Sequence, residues 1–206
     1  MLIAIDGPAG AGKSTVARAL AARLGFTYLD TGAMYRCVAL LAVAKSDREP
    51  AALARGAQIA FDGERVTLDG RDVTQEIRTP EVSQVASEVA ADPGVRDALV
   101  AKQQALIADG DWVAEGRDIA TVVAPGAEVK VFLTASPQER ARRRAVELGI
   151  SVEAVASEQT IRDERDSTRS HGALRVADGA VEIDSTGLSL EQVVGRIAEL
   201  ARRAHH

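Results

Sequence analysis

A glycine-rich stretch near the N-terminus has the residue types and the spacing of a phosphate-binding loop. It fits the pattern G-x-x-x-x-G-K-[ST] and comprises Gly7, Pro8, Ala9, Gly10, Ala11, Gly12, Lys13, Ser14 and Thr15. Because glycine has no Cβ, successive backbone N–H groups of such a loop can curl around phosphate oxygens. Lys13 adds a cation for the outer phosphates, and the Ser14 hydroxyl can ligate Mg²⁺. The stretch therefore predicts a site for a nucleoside triphosphate.

The segments on either side of this loop support that interpretation. Leu2–Asp6 is a short apolar run typical of a buried strand, and residues 15–24 have the pattern of a helix. A strand, a glycine loop and a helix in this order aim the helix N-terminus at a bound anion. A glycine-rich turn between two core elements is the alternative, and the two flanking patterns count against it.

The wider pattern of apolar runs predicts an α/β fold of three layers with a central parallel sheet. Strands are expected at residues 2–6, 27–30, 111–115, 129–133 and 180–184, and helices at 15–24, 33–44, 137–145, 152–169 and 189–204. Between residues 58 and 73, short alternating pieces are separated by Asp62-Gly63 and Asp69-Gly70, which are strong hairpin signals. We expect a small inserted antiparallel lobe there, followed by helices at 80–91 and 93–108.

Composition and charge restrict the classes of protein to which the chain can belong. The 206 residues suit one domain, and 46% of them are hydrophobic, which is ample for a core. The formal net charge of −5 argues against a general nucleic-acid binder, and no apolar run is long enough to span a bilayer. Cys37 is the single cysteine, so an internal disulfide is excluded. We expect a cytoplasmic protein without nucleic-acid or membrane partners, and we assign no role to His205 and His206.

Arginine is concentrated where a phosphoryl-transfer enzyme would need fixed cations. The crowded positions are Arg140, Arg142, Arg143, Arg144, Arg162, Arg165 and Arg169, and the single ones are Arg36, Arg96 and Arg117. The planar guanidinium binds phosphate through two donors and stays charged. Arg162, Asp166 and Arg169 fall on one helical stripe, part of which an internal Arg162–Asp166 pair could explain. For any single arginine, a solvated salt bridge is an equally good interpretation.

The order of several longer motifs makes the chain resemble the bacterial cytidylate kinases nearly from end to end. The two most specific stretches are Asp30-Thr-Gly-Ala-Met-Tyr-Arg36 and Gly116-Arg-Asp-Ile-Ala-Thr-Val-Val123. The others are the glycine loop and the stretches 76–79, 85–91, 95–96, 162–166 with Arg169, and 184–186. The resemblance implies a P-loop kinase with a core at 1–45, 110–136 and 178–206. It also implies a lobe for the nucleoside monophosphate at about 46–109 and a helical lid at about 137–177.

The same resemblance implies a reaction and the residues that serve it. The expected monomeric enzyme transfers the γ-phosphoryl group of ATP, with Mg²⁺, to CMP or dCMP, giving ADP and CDP or dCDP. The residues expected at the acceptor phosphate are Thr31, Arg36, Arg117 and Arg169, of which the three arginines are catalytic together with Lys13. Those expected at the cytosine are Ser87, Arg96 and Asp118, and those at the sugar are Arg162 and Asp166. Those expected on the donor side, at the lid, are Arg140 and Arg144.

Two other functions stay open at this point. Another small-molecule kinase on the same scaffold, acting on UMP, AMP or shikimate, would share the loop, and so would a regulatory nucleotide switch. The sequence contains no asparagine, so the N-K-x-D motif by which small GTPases recognise guanine is absent. For holding water molecules on Mg²⁺, Asp6, Asp30 and Glu115 are candidates that the sequence does not rank.

Overall fold

Strands and helices alternate along most of the chain in the computed structural model, which describes residues 1–204. In chain order the elements are β1 (Leu2–Asp6), α1 (Lys13–Leu24), β2 (Thr27–Asp30), α2 (Thr31–Ala44), α3 (Pro50–Gly56), β3 (Ile59–Asp62), β4 (Arg65–Leu68), β5 (Arg71–Asp72), α4 (Pro80–Val89), α5 (Pro93–Leu106), β6 (Trp112–Gly116), β7 (Val129–Thr134), α6 (Pro137–Leu148), α7 (Val152–Thr168), β8 (Val181–Asp184) and α8 (Leu190–Ala204). A short 3₁₀ helix spans Glu76–Arg78, and a π-helix spans Ile119–Val123. No helix among the described residues is both long and apolar enough to cross a membrane.

A five-stranded sheet with the order β2-β6-β1-β7-β8 runs through the first of two compact units, which comprises Met1–Tyr28 and the chain from Gly110 onward. Its central strand β1 pairs in parallel with β6 and β7, and β7 pairs in parallel with β8. Ile3 and Ile5 on one face and Ala4 on the other are fully buried, as expected of a strand that is covered on both faces. Asp6 lies opposite Gly116 in the register, so the carboxyl ends of β1 and β6 meet at one edge. In parallel sheets this edge collects ligands.

The helix that follows the glycine loop is fixed by its packing in the core of the first unit. Val16 and Leu20 on α1 belong to one apolar cluster with Val194 and Ile197 on α8 and with the sheet residue Val131. Helix α1 has no acidic residue in its first turn, so nothing of its own neutralises the positive end of its dipole. The core therefore determines the direction in which that helix end faces.

The second unit comprises Leu29–Asp109 and contains helices α2 to α5 with a three-stranded antiparallel sheet of order β3-β4-β5. In the turn between β4 and β5, Asp69 and Gly70 have φ of 52° and 81°, the positive values that a two-residue type I′ turn requires. Met34 and Val38 on α2 pack in one apolar cluster with Leu99 on α5. The hairpins predicted from the two Asp-Gly pairs are thus confirmed.

The predicted fold class is confirmed, and the differences lie at element ends and in two short helices that the sequence did not predict. Helix α1 begins at Lys13 instead of residue 15, because Gly12 provides a left-handed N-cap, and α2 begins at Thr31, because the Asp30 carboxylate accepts the Ala33 N–H. Helix α3 was not predicted, since its seven residues are too few to show a period. The π-helix was not predicted either. The second unit begins at Leu29, so it holds α2 as well as the segment 46–109.

We predict that Gly7→Ala destabilises the first unit. Gly7 has φ of 153°, and a Cβ there would lie 1.9 Å from the Leu133 carbonyl oxygen on β7. Because a backbone atom cannot move aside as a flexible side chain can, we expect a loss of about 1–3 kcal/mol, the range for overpacked sites. Urea unfolding of the parent and the variant measures the loss.

The control for this prediction is Gly195→Ala. A Cβ at Gly195 meets no atom within 4 Å, and this glycine lies inside α8. Alanine is the better helix former, so this variant should gain about 0.5–1 kcal/mol. Equal unfolding free energies for Gly7→Ala and the parent would contradict the close approach of the loop to β7.

Candidate active site

The glycine loop has the geometry of an anion site in the first unit. Gly10 and Gly12 adopt φ of 77° and 89°, which L side chains rarely adopt. Gly12 caps α1, and Ser14 and Thr15 in the first turn are exposed. Exposed N–H groups at the end of a helix dipole attract negative charge. The structure therefore presents the predicted loop in a form that can receive phosphate groups.

Lys13 is buried beneath this loop. Its Nζ donates to the Pro8 carbonyl oxygen at 2.8 Å, and its residue is only 6% exposed. Burial, followed by the charge of Arg117, lowers the pKa of Lys13 to about 7, while Glu115 acts in the opposite direction. Phosphate oxygens beside the amine would favour its charged form, so an anion bound here would be expected to restore its positive charge.

A cluster of arginines around one carboxylate lies near Lys13. The Arg117 Nε donates to Asp166 Oδ2 at 2.8 Å, and the Arg169 guanidinium donates to Asp166 Oδ1. Burial alone would raise the pKa of Asp166, but Arg117 and Arg169 hold it below its ordinary value. Arg162 also acts on this carboxylate. The structure thus brings together the predicted Arg117, Arg162, Asp166 and Arg169, and both Asp166 oxygens accept from arginines.

Asp118 directly precedes the π-helix that follows β6, and Asp6 holds the first turn of that helix. The Asp6 carboxylate accepts the N–H groups of Ile119 and Ala120, each at 2.8 Å. Burial raises the pKa of Asp6 to about 6, and the two backbone hydrogen bonds oppose that shift. Asp118 is 5% exposed and also raises the pKa of Asp6. This contact ties the end of β1 to the segment that carries Arg117 and Asp118.

Three carboxylates proposed for waters on Mg²⁺ have different surroundings. Asp6 holds the π-helix, and Asp30, in the second unit, pairs with Arg36 at 2.7 Å and caps α2. Glu115 is buried at the end of β6, where the Tyr28 hydroxyl donates to it at 2.5 Å. Among the described residues, no group of three His, Cys, Asp or Glu side chains forms a metal cluster.

The arginines of α6 contact the carbonyl side of the glycine loop. Arg140 is 7% exposed, and its guanidinium donates to the carbonyl oxygens of Ala9 at 3.0 Å and Ala135 at 3.2 Å. It also pairs with Asp163 at 2.7 Å. Arg144, the other arginine predicted at the donor, is half-buried. Arg140 therefore contacts the loop itself.

The remaining predicted residues belong to the second unit. Thr31 is buried at the start of α2, and Arg36, one turn further, donates to Asp30 at 2.7 Å. Ser87 on α4 is buried, as is Arg96 on α5, whose guanidinium lies 5.7 Å from the centre of the Tyr35 ring. Arginine is rarely buried to this extent unless it is paired, so these side chains are notable positions in the second unit.

Several side chains that contact the loop or the residues beside it were not singled out from the sequence as site residues. They are Tyr28, Arg143, Asp163 and Ser185. Ser185 lies in the family stretch 184–186, and Arg143 follows Arg140 by one helical turn, so both had a signal. The sequence around Tyr28 and Asp163 gives no sign of their partners, because these are 87 residues away for Tyr28 and 23 for Asp163.

Comparison with known proteins decides the family. A family model described as Cytidylate kinase matches residues 3–203. The chain belongs to the cytidylate kinase family. It is 49% identical over 217 aligned residues to the cytidylate kinase of Carboxydothermus hydrogenoformans, with 98% of each protein covered. It is 50% identical over 214 aligned residues to that of Solibacter usitatus, covering 98% of this chain and 92% of that protein.

Solved structures show the same architecture in more distant proteins. An uncharacterized protein from Eubacterium ventriosum superposes with a TM-score of 0.58 at 12% identity, covering 97% of this chain and 96% of that one. A gluconokinase from Sinorhizobium meliloti has a TM-score of 0.50 at 20% identity, covering 98% and 93%. These likenesses show the fold alone. With the family match, they confirm the expected P-loop kinase fold and the expected class, a nucleoside monophosphate kinase of the cytidylate kinase family.

We predict that the pH dependence of stability changes in Asp6→Asn. The folded protein holds a proton on Asp6 up to about pH 6, whereas the unfolded chain releases it near the ordinary value of 3.8. Ionising Asp6 therefore costs the folded state stability as the pH rises through this window, about 3 kcal/mol in total. Asparagine does not ionise, so the unfolding free energy of the variant relative to the parent should rise by about this amount between pH 3 and 7.

The measurement is urea unfolding of both proteins across that range. Asparagine loses one of the two backbone hydrogen bonds, which adds an offset that does not depend on pH. Asp184→Asn is the control of opposite sign, because hydrogen bonds from Thr186 lower the pKa of Asp184. A difference between Asp6→Asn and the parent that is constant with pH would contradict the raised pKa.

Proposed function

We propose that the protein transfers the γ-phosphoryl group of ATP to CMP or dCMP, with the triphosphate lying along the loop from Gly7 to Thr15. The observation that carries this proposal is the burial of Lys13 beside the Arg117–Asp166–Arg169 cluster at the foot of an anion-binding loop. A regulatory switch would have no use for so many fixed cations. Family membership supports the choice of a cytidine nucleotide as acceptor.

The chemistry requires positioning and charge neutralisation more than proton transfer. An oxygen of the acceptor phosphate attacks the γ-phosphorus, its new bond forms as the bond to ADP breaks, and ADP leaves as an anion. The acceptor phosphate is already ionised at neutral pH, so no general base is needed. Lys13 and Arg117 lie where negative charge on the transferred group must be stabilised. Both are fixed by hydrogen bonds before the substrate arrives.

The acceptor phosphate is assigned to Arg36, Arg117 and Arg169 with Thr31. Asp166 orients Arg117 and Arg169, and a guanidinium can bind phosphate oxygens through two N–H groups. Arg162 and Asp166 are assigned to the sugar. Arg36 and Thr31 are assigned to the acceptor phosphate from the motif that carries them. These assignments rest on the matching motifs and on the burial of the side chains.

Cytosine recognition is assigned to Ser87, Arg96 and Asp118. The Asp118 carboxylate and the Ser87 hydroxyl can accept from the exocyclic amine, and Arg96 can donate to the ring acceptors. Uracil lacks the amine, so a site with these acceptors would leave them unpaired. All three side chains are at least 94% buried, which makes an unpaired acceptor costly.

Magnesium is proposed to bind with ATP, and the oxygen groups of the loop fit it. Ser14 presents an exposed hydroxyl at the start of α1, and Glu115 is a nearby carboxylate for waters on the ion. Mg²⁺ prefers oxygen ligands and keeps several waters, so it needs no all-protein cluster. When bound, the ion neutralises charge on the β- and γ-phosphates. Arg140 and Arg144 are assigned to the donor nucleotide. We also propose that the enzyme is a cytoplasmic monomer.

We predict that Asp118→Ala removes the preference for cytosine. The kcat/KM for CMP should fall about 100-fold, as expected for losing a hydrogen bond from a buried charged group, while that for UMP changes little. The KM for ATP should stay within about threefold of the parent value, because the loop is intact. ADP release with CMP, dCMP, UMP and AMP as acceptors measures these values.

The control for this prediction is Asp47→Ala, which removes an exposed carboxylate between α2 and α3. Its CMP and UMP kinetics should match those of the parent. Equal use of CMP and UMP by the parent enzyme would refute the assignment of the base-contacting residues, and no turnover of any monophosphate would refute the proposed reaction.

We predict that turnover requires Mg²⁺ and that Ser14 sets how much is needed. A chelator should abolish ADP release, and added Mg²⁺ should restore it. Ser14→Ala should raise the half-saturating Mg²⁺ concentration about tenfold, since one ligand is lost. Ser46→Ala removes an exposed hydroxyl between α2 and α3 and should leave that concentration unchanged. Identical Mg²⁺ curves for the two variants would place the ion elsewhere.

A further inference from the structure

The carbonyl groups of the phosphate loop are held from behind by side chains. The Pro8 oxygen accepts from Lys13, the Ala9 oxygen from Arg140 and the Ala11 oxygen from Arg143. In a trans peptide the C=O and the following N–H point in opposite directions. Fixing the Ala11 oxygen on one side therefore directs the Gly12 N–H to the other side. The same reasoning applies to Ala9 and the Gly10 N–H.

These peptides need such support because of the residues that follow them. Gly10 and Gly12 have φ of 77° and 89°, and glycine populates many other backbone conformations at similar energy. The Ala11–Gly12 peptide could rotate and turn its carbonyl dipole toward the phosphates. A carbonyl oxygen in that place would repel the anion that the N–H attracts.

Two residues from different elements meet at the Ala11 oxygen. The Arg143 Nη1 donates to it at 3.3 Å and to Ser185 Oγ at 3.0 Å, and the Arg143 Nη2 donates to the Ser185 carbonyl oxygen at 3.0 Å. Ser185 Oγ also lies 3.3 Å from the Ala11 oxygen and 2.9 Å from the Thr134 oxygen. Ser185 is 3% exposed and directly follows β8. The Arg143–Ser185 pair thus joins α6, the end of β8 and the loop.

We propose that Arg143 and Ser185 are positioning residues for phosphoryl transfer, which hold the Ala11 carbonyl so that the Gly12 N–H faces the donor phosphates. They act through the loop and not by contact with the nucleotide. The inference rests on the proposed function, since it assigns the donor to this loop. It also explains why a serine between two polar residues, at positions 184–186, is completely buried.

Helix α6 provides a matched control. Arg142 and Arg143 both donate to Glu139, at 2.9 Å in each case, and both carry one positive charge. Arg142 is exposed, and the bonds that the structure gives its side chain run to Glu139. Replacing either arginine removes the same charge and a bond to the same carboxylate. The contact with the loop distinguishes Arg143.

The test compares Arg143→Met, Ser185→Ala and Arg142→Met in the full-length enzyme. Steady-state kinetics give kcat and the KM values for ATP and CMP. Calorimetry, with no acceptor present, gives the affinities for ATP and for AMP. We expect Arg143→Met and Ser185→Ala each to weaken ATP binding about tenfold, the effect of one hydrogen bond that organises a site. The KM for CMP and the results for Arg142→Met should change less than twofold.

Ser185→Ala separates positioning from direct contact. It removes no charge and no exposed group, so a loss of ATP affinity reflects the position of the loop and of Arg143, and not a lost contact with the nucleotide. Because both side chains serve one carbonyl, the double variant should lose less than the product of the two single losses. Normal ATP affinity in Ser185→Ala, or equal losses in Arg142→Met and Arg143→Met, would overturn the proposal.

The same measurements keep the two proposals apart. If the parent enzyme binds ATP but phosphorylates no cytidine nucleotide, the proposed reaction fails, while the calorimetric comparison still tests the loop. If the parent is an active CMP kinase and all three variants bind ATP equally, the positioning role alone is refuted. Thermal unfolding of each variant shows whether a variant that binds ATP more weakly is still folded.

Discussion

The close approach of the chain to β7 at Gly7 is the constraint on which the site in the first unit depends. A Cβ at this position would lie 1.9 Å from a backbone oxygen, so only glycine lets the chain leave β1 so tightly. The tight exit places Lys13 at the start of α1 and beneath the loop, where its amine reaches the Pro8 oxygen. It also brings the loop carbonyls within reach of α6.

Charge burial is the second condition that the site satisfies. Lys13 is buried and lies close to arginines. Its burial and the neighbouring positive charges both disfavour its charged form. Arg117 and Arg169 are stabilised because they share the Asp166 carboxylate. Glu115 and Asp163 also act on Arg117, so the cations of the site lie among several carboxylates. Fixed cations of this kind are commonly found at phosphate sites.

The carboxyl edge of the sheet joins β1 to the segment that carries Arg117 and Asp118. Asp6 ends β1 and holds the two N–H groups that follow Asp118, so the strand beneath the phosphate loop also shapes the π-helix. π-Helices are rare and are frequently found at functional sites. Arg117 and Asp118 directly precede this π-helix, and although they are adjacent in sequence they are assigned to the phosphate and to the base.

The sequence by itself determined the fold class, the loop, most helices and strands, and the family. The reason is that strong periods, Asp-Gly turns and the glycine spacing are local, so their signals lie within a few residues. Only the tertiary structure decided which partners the charges take. Asp166 pairs with Arg117, 49 residues away, and Tyr28 binds Glu115 across 87 residues. The position of Arg143 and Ser185 behind the loop depends on α6 and β8 packing beside it, and no local pattern encodes such a meeting of distant segments.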